Sequence, residues 1–240
     1  MSISKIKVSG LVVEVVRKPI KNLHLGVYPP AGRVRVAVPM AIKDEAVRLA
    51  VVGKLGWIKR QRAKFEAQPR QSRREMVNGE SHYYLGRRYR LRLVESIAGS
   101  KVYVRNASIL ELHARPTTTA GQRERMLQDW YREQLKKKIP IKLKKWQPVV
   151  GVEVSEWGIK KMKTKWGSCN AKAGRIWLNL ELAKKPVKCL EYIIVHELVH
   201  LLERRHNERF LELMNRFMPR WQAYREELKQ MPLGHDEWGY

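Results

Sequence analysis

Cysteine is almost missing from this chain: Cys169 and Cys189 are the only two in 240 residues. Two thiols make neither a disulfide framework nor a cysteine-rich metal ribbon, so the disulfide-stapled secreted class is excluded and a reducing compartment is expected. Long apolar runs are missing too. The opening segment MSISKIKVSGLVVEVVRK is broken by Glu14 before it can form a signal-peptide core. No stretch approaches the roughly 20 apolar residues of a membrane span. A cytoplasmic, soluble protein with no membrane partner is the expectation. Acidic residues are scarce as well, with 23 Asp and Glu against 49 Lys and Arg, and the net charge of +26 is unevenly spread. Residues 1–150 carry 33 basic and 11 acidic side chains, a balance of +22, while residues 151–240 carry 16 and 12. Such a field either attracts a polyanion (nucleic acid, nucleotides or an acidic protein surface) to the basic first part or serves solubility with no specific partner.

What remains is a folded protein, 44% hydrophobic and long enough to bury a core. From Ile6 to Val38 short alternating runs are separated by Lys18-Pro19, Pro29-Pro30 and Gly32, which predicts an antiparallel meander. Residues 41–67 change to a helical period that Gly53 and Gly56 weaken in the middle. A basic connector over 68–80 leads to four more strand-like runs. There Arg87, Arg88, Arg90 and Arg92 interleave with Tyr83, Tyr84 and Tyr89, either as a stacking and phosphate-binding face or as a half-buried strand with its charges outward. After Pro116 and three threonines a long helical pattern opens. The division expected is therefore a β-rich basic part over 1–118 and a second part over 119–240, either separate or together one domain, with a short strand at 152–154 and a hairpin around 159–180. No internal repeat is visible.

The chemistry concentrates at residues 193–210, IIVHELVHLLERRHNERF. On a helix His196 and His200, four apart, project from one face about 6 Å apart, close enough to share one metal ion. Glu197 lies about 100° round, placed to reach a water on the metal's open side without entering the ligand set. A catalytic zinc has three protein ligands, so a third is needed. On a continued helix His206 points about 240° away from His200. A helix ending near Arg204, with Asn207 capping the next one, brings His206 back to the site. The apolar neighbours Leu190, Ile193, Ile194, Leu198 and Leu201 make unpaired His and Glu costly here, which favours a metal over satisfied core histidines. The residues that would stabilise an oxyanion are not singled out by spacing; Arg175, His235 and Tyr240 qualify by chemistry alone.

Just before that helix, KMKTKWGSCNAKAGRIWLNLEL reads as two strands and a turn. A strand beside a metal site can hold an extended peptide by main-chain hydrogen bonds. That makes Trp166, Gly167, Ser168 and Cys169 candidate substrate contacts.

Taken together, Trp166-Gly167-Ser168-Cys169, Leu178-Asn179, Pro186, His196-Glu197-Leu198-x-His200-Leu201, His206 and Phe210 resemble the YgjP-like (DUF45) zinc-dependent hydrolases, relatives of the SprT-like metallopeptidases. The resemblance implies metal ligands at His196, His200 and His206, a catalytic carboxylate at Glu197 and one Zn2+ per chain. It implies an α+β fold: an N-terminal antiparallel β-rich part with a helix, then a zincin-like, gluzincin-type catalytic part whose HExxH helix packs on a small sheet. No downstream Glu motif supplies a third ligand, and His206 matches the SprT-like position. The function expected is a metal-dependent hydrolase, foremost a metallopeptidase using Glu197 as general base on a peptide or protein substrate. The alternative is a nucleoside triphosphate pyrophosphatase or phosphoanhydride hydrolase. A nucleic-acid-binding module with a structural metal ranks last, because a structural site has no use for Glu197.

Overall fold

The computed structural model describes residues 2–28, 32–67, 75–162 and 165–230. They form two compact units, one up to residue 67 and one from residue 75.

The smaller unit carries strands β1 (Ser2–Val8), β2 (Leu11–Lys18), β3 (His24–Tyr28) and β4 (Arg33–Pro39), then helices α1 (Asp44–Val52) and α2 (Leu55–Ala67). Alternation along β2 and β4 buries Val13, Val15, Val34, Val36 and Val38 against Val47, Val51 and Ile58 of the helices. The helical stretch breaks at Gly53, where the sequence weakens. The sheet is no meander. Its order is β1-β2-β4-β3, with β2 and β4 parallel, so two antiparallel pairs lie side by side.

The larger unit opens with the same arrangement. Strands β5 (Ser81–Tyr84), β6 (Arg87–Glu95), β7 (Lys101–Val104) and β8 (Ile109–Ala114) pair in the order β5-β6-β8-β7, again with a parallel central pair. A topology thus recurs that no sequence repeat announces. In β6 the arginines are exposed while Tyr89 is buried, and Tyr84 packs inward with its ring 4.7 Å from Trp130. Of the two readings of this stretch, the structure has the half-buried strand with its charges outward.

Helix α3 (Ala120–Val150) begins at Thr119, whose side chain and that of Gln122 form a reciprocal capping box. The threonine run that suggested a linker is therefore a helix start. Leu127, Tyr131, Leu135 and Ile139 of α3 join one core with Leu91, Leu110 and Leu112. The units accordingly divide near residue 70, and residues 119–240 are not a part to themselves.

Next come β9 (Glu156–Lys160), β10 (Gly167–Asn170) and β11 (Arg175–Asn179), in the order β10-β11-β9. The strand expected at 152–154 begins instead at Glu156 and pairs parallel to β11, outside the β10–β11 hairpin. Helices α4 (Val187–Leu202), α5 (Glu208–Phe217) and α6 (Trp221–Gln230) complete the unit. Helix α4 is buried nearly all round, with Leu190, Ile194, Val195, Leu198 and Val199 inaccessible. Its start is crowded: a Cβ on Gly86, whose φ is +82°, would lie 2.7 Å from Pro186 Cγ, so only glycine suits this turn. Glu191 ties α4 to α3, accepting from Lys145 at 2.5 Å, Trp146 at 2.7 Å and Lys142 at 2.9 Å. Burial pushes this carboxyl up, but the three hydrogen bonds together outweigh it and hold it at about 2. No helix among the described residues is long and apolar enough to cross a membrane.

Candidate metal centre

Helix α4 brings His196 and His200 onto one face and ends at Leu202, two residues before the arginine pair, where Glu203 turns extended (φ −136°, ψ 112°). Asn207 then caps α5, its Oδ1 accepting the Phe210 N–H at 3.0 Å. The short turn between the helices returns His206 to α4. The three Nε2 atoms are 3.2 Å (His196 to His200), 3.1 Å (His200 to His206) and 3.1 Å (His196 to His206) apart. Ligand atoms about 2.0 Å from a tetrahedral zinc are separated by about 3.3 Å, so this triangle fits such an ion.

The surroundings disfavour the charged form of His196 and His206. Burial, the other two histidines and Arg225 push the His196 imidazole down to about 3. Burial, with His200 and Arg225, lowers His206. The His200 Nδ1 lies 3.0 Å from the Glu203 carbonyl and donates to it, which leaves Nε2 as the lone-pair nitrogen. Phe210 lies beneath all three rings, 4.7 to 5.0 Å between centroids. Three imidazole nitrogens converging at this distance are a set that a cation suits. Among the described residues these three are the group able to hold a metal ion.

Glu197 is 3% exposed, and burial pushes its carboxyl up to about 8, with Lys165 pulling the other way. Its Oε2 is buried without a hydrogen-bond partner in the protein. The side chain lies against the backbone of Gly167, where an added Cβ would be 2.8 Å from Glu197 Cδ and closer still to Oε1. The glycine of the Trp-Gly-Ser-Cys stretch thus makes room for the carboxyl group.

That stretch forms the edge strand β10 and one wall of a cleft of about 970 Å³. Trp166, Gly167, Ser168 and Cys169 all line it, together with His196, Glu197, His200 and His206. The Cys169 thiol is pushed up to about 11 by burial and by Glu197, so it is protonated near neutrality and lies outside the nitrogen triangle. Of the helpers considered from sequence, Arg175 pairs with Glu156 at 3.1 Å and does not line the cleft. His235 and Tyr240 lie outside the described residues.

The sequence reading missed Tyr192, Lys165, Lys172 and Arg225 and gave Arg204 and Asn179, which it named, no part in the cleft. Tyr192 stands one turn before His196 on the same face, a spacing that was available; its ring meets His196 edge-on at 5.9 Å. Asn179 is a buried amide that binds the backbone of Met162, Lys165 and Glu181. Its Nδ2 donates to the carbonyls of Met162 (2.9 Å) and Lys165 (2.7 Å), and its Oδ1 accepts from Met162 (3.3 Å) and Glu181 (3.1 Å). Replacing Asn179 with Ala strands these groups and is expected to cost about 3 kcal/mol, read from denaturant unfolding. A loss below about 0.5 kcal/mol, the range of a neutral surface change, would show that these backbone groups are satisfied by other means.

A family model described as "YgjP-like, metallopeptidase domain" matches residues 21–231. No curated protein matches. One solved structure, the metallopeptidase zymogen of Pyrococcus abyssi abylysin, is 20% identical, with 38% of this chain and 90% of that one covered at a TM-score of 0.35. That likeness is too slight to bear on the fold.

Proposed function

This chain belongs to the YgjP-like metallopeptidase-domain family and is a metal-dependent hydrolase, and we propose that it cleaves peptide bonds with one zinc ion held by His196, His200 and His206. The convergence of three imidazole nitrogens beside a buried carboxylate, on the floor of a cleft walled by an edge strand, is the observation that carries this reading. We read the catalytic part as zincin-like, with α4 packed on the β10–β11 hairpin and His206 in place of a glutamate ligand. Zinc in that triangle supplies Lewis acidity toward the substrate carbonyl and the attacking water.

The chain's own residues do the rest. Glu197, beside the ligands and turned to the cleft, takes the proton of the attacking water and returns it to the leaving amine. Burial raises its proton affinity in the metal-free protein, which suits the second of these tasks, donation to the leaving amine. β10 offers its outer backbone groups to an extended substrate, and Trp166 and Tyr192 wall the cleft.

One observation favours a second reading. Five cations line the cleft against one carboxylate, which suits phosphates, so hydrolysis of nucleoside triphosphates stands as the alternative. The basic groups belong to the catalytic region itself and not to residues 1–150. The two readings separate when wild type and Glu197→Gln, both zinc-loaded, are given an unfolded protein and a nucleoside triphosphate panel. Glu197-dependent peptide cleavage is expected. Glu197-dependent phosphate or pyrophosphate release without peptide cleavage would replace the first reading by the second.

A further inference from the structure

We infer that the cleft selects acidic polypeptide, an extended segment lying along β10 with its carboxylates among Lys165, Lys172, Arg204 and Arg225. This rests on the peptidase reading and adds the chemistry of the substrate. The cleft is lined by Lys165, Lys172, Arg204, Arg225 and Lys229, and its single carboxylate, Glu197, is buried. Lys229 pairs with Glu226. Among the described residues the other four make no ion pair, whereas Lys142 and Lys145 rest on Glu191, Lys184 on Glu181 and Lys188 on Glu227. Unneutralised cations round a concave, low-dielectric wall focus a positive potential into it.

The placement suits a chain more than a compact anion. Lys165 precedes β10 and Lys172 follows it, so the whole strand, about 10 Å at ~3.3 Å per residue, lies between them. Arg204 belongs to the turn after α4, and Arg225 stands on α6. The cations are thus spread along and across the groove, where side chains of an extended peptide fall.

Arg225 is the most firmly held of them. Its guanidinium lies over the Trp221 ring at 5.8 Å. Trp221 is itself fixed, donating from Nε1 to Asn215 at 2.8 Å and stacking on Tyr192 at 6.3 Å. A planar fork on a rigid platform is suited to a carboxylate.

The test uses zinc-loaded, full-length Glu197→Gln, so that bound peptide is not consumed, and labelled peptides of one length that are glutamate-rich, glutamine-rich or lysine-rich. Fluorescence anisotropy should show the glutamate-rich peptide binding about 10-fold tighter than the glutamine-rich one, with the gap closing at high salt. Adding Arg225→Gln or Lys165→Gln, both exposed and so tolerant of replacement, should weaken the glutamate-rich peptide more than the glutamine-rich one. Equal binding of the three peptides would overturn the inference. So would displacement of the acidic peptide by a nucleoside triphosphate at far lower concentration than by unlabelled acidic peptide. Glu197-dependent cleavage of all three peptides alike by wild type would sink this inference and leave the peptidase reading standing. Acid-selective binding without Glu197-dependent cleavage of any peptide would do the reverse.

Discussion

Glu197→Gln is expected to keep its fold and its metal while turnover falls by at least about 100-fold, the lower end of what a positioned general base contributes. The amide is nearly the same size, so the contact with Gly167 survives, and none of the three nitrogen atoms that face one another belongs to residue 197. What disappears is a group that can accept a proton and hand it on. A second measurement isolates the burial. In chelator-treated wild type the unfolded chain ionises Glu197 near 4.5, while the folded chain holds the proton up to about 8. The unfolded state therefore binds fewer protons across that window, and this group's contribution to stability, present below pH 4.5, is lost as pH rises toward 8. The Gln variant should lack that decline. Equal turnover in the two proteins would remove Glu197 from the mechanism.

His206→Ala is expected to weaken zinc by more than the roughly 10- to 100-fold that loss of a supporting hydrogen-bond partner costs, since a ligand itself goes. His196 and His200 remain on α4, but two nitrogens leave the ion half-coordinated by protein. Competition with a chromogenic chelator gives the affinity, and circular dichroism checks that α4 persists. Full occupancy in this variant would mean that the third ligand is another residue. The experiment bears on His206 specifically, because it alone reaches the triangle from outside α4.

The site was largely legible in the sequence because its determinants are local. Four-residue spacing put two histidines on one face; the same spacing offered Tyr192, which the reading passed over. A helix that had to stop, followed by an asparagine able to cap, returned the third histidine, and the actual stop at Leu202 came only two residues earlier than expected. Arg225 was out of reach for the opposite reason: it lies 19 positions beyond His206, and tertiary packing of α6 on α4, Trp221 stacking on Tyr192 included, brings it to the cleft. The sheets show the same divide. Alternation along β2, β4, β6 and β8 fixed which side chains turn inward, but nothing local distinguishes a meander from two antiparallel pairs joined through parallel centres. Polar Thr117, Thr118 and Thr119 serve equally as a connection between parts or as a cap, and Thr119 caps α3, whose buried face shares a core with β6 and β8.

The turn that carries His206 also governs how long an ion stays. Its companions, the Asn207 bond to Phe210 and the Phe210 ring beneath the imidazoles, make the start of α5 a latch over the nitrogen triangle. Opening of the α5 start would withdraw His206 while α4 stays intact, so removing the Phe210 ring is expected to speed loss of a bound ion. Conversely, an ion bound in the triangle would hold the latch shut by mass action and stabilise the start of α5.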